Sequence, residues 1–248
     1  MLTLQQIGHA FGGLSVLRSV TFDVPSGRIV GLIGPNGSGK TTLFNIVTGY
    51  IAPLQGRVLY RGEALNRQSV AQRTRRGLVR TFQTPLVFEQ MTVLENVMVG
   101  CCKDHRAGMV QDFLRLPGAR RRLAEIGEHA EAVCTRFGLE ELRGRLARNL
   151  TAGQRRIVEI ARAVAGSPSL LLLDEPSSGL NPEEIEHLRH WIELLCAEGI
   201  TVLLVSHDMD LMAVAGTVHV LNFGEIIASG PMAEIQRDPQ VREVYLGV

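Results

Sequence analysis

A mainly parallel α/β fold is predicted for this 248-residue chain by three features of its sequence. Apolar runs at Ile29–Ile33, Leu170–Leu173 and Thr201–Val205 show almost no polar alternation, as expected of strands covered on both faces. Helical patterns lie between them. The first sixty residues differ: Leu2–Leu4, Val20–Val24 and Arg57–Tyr60 are short β-prone runs separated by turn residues, which predicts an antiparallel layer beside the parallel sheet. Hydrophobic residues make up 45% and charged residues 21%, and a chain this long can bury a sizeable core.

Each element has its own signal. Ile29–Ile33 is bounded by Gly27 and Gly34. From about residue 89 to residue 149 no strand pattern stands out, and the stretch reads as a helical insertion, not an independent domain. There Leu123, Ile126, Ala130, Val133 and Phe137 form a helical stripe, with Gly138 as its stop. Ile185, Leu188, Ile192 and Leu195 step by three and four along another helix. Asn181 suits its N-cap, Pro182 its first position, Glu184 a capping box and Gly199 its end. Val218–Leu221 is a fourth strand candidate, and no repeat or low-complexity tract occurs.

Composition excludes several classes. The formal net charge is +1, so a dedicated nucleic-acid binder with a basic domain is not expected. Residues 101–156 carry 12 basic against 7 acidic residues, which reads as a solvated face, with nucleic-acid, lipid or nucleotide contacts as alternatives. No apolar run reaches the roughly 18–20 residues that span a bilayer. The first residues lack the basic and apolar regions of a signal peptide, so a cytoplasmic chain is expected. Cys101, Cys102, Cys134 and Cys196 form no CxxC pair, and reduced thiols are expected.

The strongest motif is Gly34-Pro35-Asn36-Gly37-Ser38-Gly39-Lys40-Thr41-Thr42, which matches GxxxxGK[ST] directly after a strand. Glycines let backbone N–H groups curl around phosphate oxygens where a Cβ would obstruct. Lys40 supplies a point charge for the β- and γ-phosphates, and the Thr41 hydroxyl a Mg²⁺ ligand. The helix that begins near Thr41 aims its positive end at the same place. A glycine-rich turn with a chance lysine would not combine this spacing with the strand–loop–helix context, so nucleoside triphosphate binding follows.

The run Leu170–Leu173 ends in Asp174 and Glu175. Alternation along a strand gives consecutive side chains different directions, hence different tasks. Asp174 can hold Mg²⁺ through water, and Glu175 can polarise the attacking water.

With these residues in place the chain resembles the ATP-binding cassette (ABC) ATPases along nearly its whole length, residues 1–248. The resemblance implies a P-loop fold with a RecA-like parallel-sheet core, an antiparallel β subdomain and a helical subdomain over about 89–165. Further motifs carry it. Leu150-Thr151-Ala152-Gly153-Gln154 stands in place of the LSGGQ signature, and Gln83 matches the Q-loop. Ser178-Gly179-Leu180-Asn181 matches the D-loop, His207 the switch histidine and Phe11 the aromatic that stacks on adenine. The family pattern implies ATP and Mg²⁺ as ligands, with Gln83 near the metal or attacking water and His207 on the γ-phosphate. It also implies a head-to-tail dimer, of two copies or of this chain with a paralogue, in which Thr151, Gly153 and Gln154 of one cassette meet the ATP of the other. Ile157, Ile160 and Val164 would face the core from the helix after the signature, and Arg155 and Arg156 would lie near the dimer interface. Ala152 replaces a glycine but keeps its N–H, which serves if its φ is negative. Asn181 stands where aspartate is frequent.

The chain has one cassette, no coiled-coil insertion and no fused membrane span, which implies a separate ATPase subunit on the cytoplasmic face of the inner membrane. Its expected partners are membrane-spanning permease subunits and, indirectly, a periplasmic or extracellular substrate-binding protein. Phe88 and Met91, beside the Q-loop, would help line the groove for a permease helix. The segment Met91–Gly100, the run Phe11–Leu14, Arg115–Gly118 and the tail Asp238–Gly247 are similar to branched-chain amino-acid importer ATPases. Urea importers and lipopolysaccharide-transport ATPases share much of this pattern, so the alternatives are the same ATPase role in urea, amide or lipopolysaccharide transport, or a soluble ABC ATPase acting on nucleic acid.

Overall fold

The computed structural model describes residues 1–101 and 117–246; Cys102, Arg115, Leu116 and Gly247, named above, lie outside the described residues. The described chain divides into two compact units, one of residues 1–83 with 169–248 and the other of residues 84–168.

The first unit holds two sheets. The antiparallel one has the order β2-β1-β4-β5, from β1 (Leu2–Phe11), β2 (Leu14–Val24), β4 (Gln55–Tyr60) and β5 (Glu63–Ala64). β1 and β2 extend well past Leu4 and before Val20. Register shifts interrupt their pairing, and Gln6 and Ser19 take left-handed φ values of 51° and 56°. These bulges break the period-two pattern, so the sequence shows only the regular ends of the two strands.

The second sheet has the order β10-β9-β3-β8-β7-β6. Its parallel strands are β3 (Ile29–Ile33), β6 (Leu78–Arg80), β7 (Leu170–Asp174), β8 (Thr201–Val205) and β9 (Thr217–Asn222). β3, β7 and β8 are buried at every position, which is why they read as unbroken apolar runs. β10 (Glu225–Gly230) returns antiparallel to β9. Its two-residue turn places Phe223 at φ 43° and Gly224 at φ 82°. A primed turn with Phe at its first position lacks the usual asparagine or glycine signal, so the hairpin is hidden in the sequence.

Helix α1 (Lys40–Thr48) follows β3 and buries Leu43, Phe44, Ile46 and Val47 in the core shared with both sheets. A buried cation closes its C-terminus. Arg73, on α2 (Val70–Arg75), is 1% exposed and donates to the carbonyls of Ile46 and Val47, both at 2.7 Å, and to those of Leu65 and Gln68 at 2.7 and 3.1 Å. Burial pulls its pKa down to about 10, still charged at neutral pH. Arg73→Met removes the donors and leaves the carbonyls buried, at a cost of about 3 kcal/mol. The expected result is a lower urea midpoint with an unchanged slope; an unchanged midpoint would remove this role.

The second unit, residues 84–168, is helical: α3 (Val93–Cys101), α4 (Pro117–Arg136) and α5 (Ala152–Ala165). α3 packs against both others, and a Cβ on Gly100 would lie 2.1 Å from the Arg162 carbonyl oxygen, so glycine permits that close approach. The α4 stripe is buried at Ala130, Val133 and Phe137, but Leu123 is 60% exposed. The stripe therefore faces a core only along its C-terminal half.

Back in the first unit, α6 (Pro182–Ala197) starts with the expected box. Asn181 Oδ1 accepts from the Glu184 N–H and the Asn181 N–H donates to the Glu184 carboxylate, both at 2.9 Å. Gly199 follows at φ 91°. Short α7 (Met209–Met212), α8 (Met232–Ile235) and α9 (Pro239–Leu246) complete this unit.

Candidate nucleotide site

The carboxyl ends of β3 and β7 and the start of α1 gather nine of the first unit's candidates around one cleft of about 280 Å³, whereas Gly34, Pro35, Ser38 and His207 are not among its lining residues. It is lined by Asn36, Gly37, Gly39, Lys40, Thr41, Thr42, Gln83, Asp174, Glu175, Val16 and Val205. The backbone explains the glycines. Gly37 and Gly39 take φ values of 81° and 110°, and a Cβ on Gly34 would lie 2.1 Å from the Leu221 carbonyl oxygen. The Ser38 hydroxyl, 2% exposed, has no hydrogen-bond partner in the protein. A glycine-lined cradle containing an unmatched buried donor fits a phosphate chain.

Lys40 Nζ donates to the carbonyls of Gly34 and Pro35 at 2.6 and 2.9 Å, which fixes it inside the loop. Burial lowers its pKa from the ordinary lysine value, opposed by the charges of Glu175 and Asp174.

Glu175 has a left-handed φ of 48°. That conformation is costly for a residue with a Cβ, and it is held by the Glu175 N–H donating to the Val205 carbonyl at 2.8 Å. Its Oε2 lies 2.7 Å from His207 Nδ1 and accepts weakly from the His207 N–H at 3.3 Å. The Glu175 side chain is 14% exposed and that of His207 77%. The helix that follows, α7, is capped by Asp208, whose carboxylate accepts from the Leu211 N–H at 3.0 Å.

Asp174 is ion-paired. Its Oδ2 accepts from an Arg80 Nη at 2.7 Å, and Arg80 donates its other Nη to Asn45 Oδ1 at 2.6 Å. The Asp174 N–H donates to Thr81 Oγ1 at 3.3 Å. Sequence reasoning missed Arg80, Asn45, Thr81 and Val16, since no motif spacing marks them.

Phe11 ends β1, 52% exposed and edge-on to His9 at 4.7 Å, and it is not among the residues lining the cleft. The signature lies in the second unit. Thr151 caps α5 with a capping box: its Oγ1 accepts from the Gln154 N–H and its own N–H donates to Gln154 Oε1, both at 3.1 Å. Ala152 has no positive φ, so the substituted alanine keeps a helical N–H. Ile157, Ile160 and Val164 are buried as expected. Arg156 corrects its sequence reading: it is 0% exposed and paired with Glu159 at 2.8 Å inside the unit, because it shares the core-facing side of α5 with Ile160.

The family model described as ABC transporter matches residues 17–178, which includes the phosphate loop, the signature, Asp174 and Glu175. The chain belongs to this family, the ATP-binding cassettes of ABC transporters. A second model, described as branched-chain amino acid ATP-binding cassette transporter, matches residues 225–248. Across 100% of this chain and 98% of the relative, it is 39% identical to the high-affinity branched-chain amino acid transport ATP-binding protein LivG of Escherichia coli. It is 34% identical to the lipopolysaccharide export system ATP-binding protein LptB of Acidithiobacillus ferridurans, over 100% of this chain and 97% of that one. The crystal structure of a nucleotide-free ATP-binding cassette from an ABC transporter superposes with a TM-score of 0.86 at 32% identity, covering 100% and 99% of the two chains.

Proposed function

We propose that this cassette is the ATP-hydrolysing subunit of an importer for branched-chain or other hydrophobic amino acids. Hydrolysis of ATP coupled to transport is the activity of its family. The match of residues 225–248 to the branched-chain amino-acid model carries the choice of cargo, since the rest of the chain is common to cassettes of many transporters.

In this reading the loop Gly34–Thr42 cradles the phosphates and Lys40 neutralises the β- and γ-oxygens. Thr41, Asp174 and Gln83 would hold Mg²⁺, which would supply positive charge to the phosphate oxygens. Glu175 orients and deprotonates the attacking water, and His207, 2.7 Å from that carboxylate, hydrogen-bonds the γ-phosphate. Phe11 stacks on adenine. Thr151, Gly153 and Gln154 serve the ATP of a second cassette, a copy or a paralogue, across a head-to-tail dimer. Residues 89–165 act as its helical subdomain.

Among the described residues no helix is long and apolar enough to cross a membrane; the likeness to transport ATP-binding proteins supports docking on separate permease subunits at the cytoplasmic face of the membrane. Phe88 and Met91, 46% and 37% exposed, are apolar residues for that contact. An external binding protein would deliver the cargo to the permease.

The test is uptake of labelled leucine by cells lacking this chain, complemented with wild type or Lys40→Ala. Wild type alone should restore uptake. If neither changes leucine uptake while lipid or amide transport responds, the cargo is wrong and the ATPase role stands.

A further inference from the structure

We propose that Arg80 is a positioning residue for the divalent cation: it fixes the Asp174 carboxylate by one oxygen and keeps it off Lys40. This rests on the reading of the cleft as a Mg²⁺–nucleotide site. Three observations support it. The pair is buried, with side chains 6% and 7% exposed, so the Arg80–Asp174 attraction is little screened by water. Arg80 is itself held from several sides: Asn45 accepts at 2.6 Å, and its guanidinium lies over the rings of Phe44 and Phe82 at 5.4 and 5.2 Å. Asp174 also has a second cation beside it, since Lys40 lines the same cleft.

Geometry decides what the pairing does. A carboxylate with two nearby cations and no fixed partner can turn to either. Collapse onto Lys40 would remove that charge from the phosphates and turn the carboxylate away from the cation. Arg80 prevents this by committing Oδ2, which leaves Oδ1 for the cation or its water shell. A planar guanidinium suits the task because separate Nη groups reach Asp174 and Asn45 at once, as a lysine ammonium cannot. The link also joins three elements: β7 through Asp174, α1 through Asn45, and β6 through Arg80, three residues before Gln83.

The test uses the full chain with Mn²⁺ as the spectroscopic stand-in for Mg²⁺. Mn²⁺ affinity is read by electron paramagnetic resonance on the chain saturated with ADP, and ADP affinity is measured separately in EDTA. Arg80→Met should weaken Mn²⁺ binding by about tenfold or more, the usual effect of losing a partner that orients a metal ligand. ADP affinity in EDTA should change by less than about threefold, because the loop and Lys40 are untouched. Arg80→Lys should recover part of the loss. Asn45→Ala, which frees only the far side of the guanidinium, should shift Mn²⁺ affinity the same way by a smaller factor and remains informative if Arg80→Met does not fold. Wild-type Mn²⁺ affinity in folded Arg80→Met, or in Asn45→Ala should Arg80→Met not fold, would overturn the proposal. An equal loss of metal-free ADP binding would overturn it too, as it would mark a general structural role. Failure of the wild-type chain to bind ADP at all would instead overturn the site reading, and the proposal with it.

Discussion

Glu175→Gln should abolish turnover while leaving the cassette folded and able to bind ATP. Glutamine keeps the size of the side chain and one oxygen toward His207 but cannot accept a proton from water. Losing a general base costs about 10²–10⁴ in rate, or roughly 3–5.5 kcal/mol of barrier. The backbone strain at φ 48° is unchanged by this substitution, since it is held by the main-chain bond to Val205. Phosphate release by the purified chain, with and without its membrane partners, checks the prediction. Turnover within a few fold of wild type would remove Glu175 from the chemistry and leave His207 holding a structural carboxylate.

Lys40→Ala should act one step earlier. Lys40 is tied to the carbonyls of Gly34 and Pro35 and sits in the same cleft as Asp174 and Glu175. Its ammonium is the positive side chain of the phosphate loop, and a hydrogen bond to a charged group contributes about 1.5–3 kcal/mol. ATP affinity should fall roughly 10- to 150-fold, with turnover falling in step. A fluorescent ATP analogue titrated against both chains reads this directly. Unchanged affinity would place the nucleotide elsewhere. The two variants divide the cleft: Lys40→Ala loses the ligand, whereas Glu175→Gln keeps it and loses the reaction.

Much of this was legible in the sequence, for identifiable reasons. β3, β7 and β8 read correctly because full burial leaves nothing polar to confuse the pattern. The start of α6 read correctly because its cap is local chemistry between Asn181 and Glu184. The glycine spacing of the Gly34–Thr42 loop was legible because Gly37 and Gly39 take left-handed φ values, which favour glycine. What stayed hidden depends on distant partners or broken periodicity. The bulges at Gln6 and Ser19 masked two long strands. Arg80 meets Asp174 across 94 residues of sequence, so no local spacing announces it. Arg156 looked like surface charge because its partner, Glu159, had not been recognised as buried with it. The exposure of Leu123 shows the converse: a periodic stripe says which residues share a face, not how far the neighbouring helices cover it.

The most direct test of the division between binding and chemistry in this cleft is calorimetric titration of Glu175→Gln with Mg²⁺–ATP. One ATP should bind per chain, with affinity within about threefold of the wild-type value while turnover is lost. Loss of ATP affinity together with turnover would show that Glu175 and its contact with His207 hold the site together, and would contradict its role as the base.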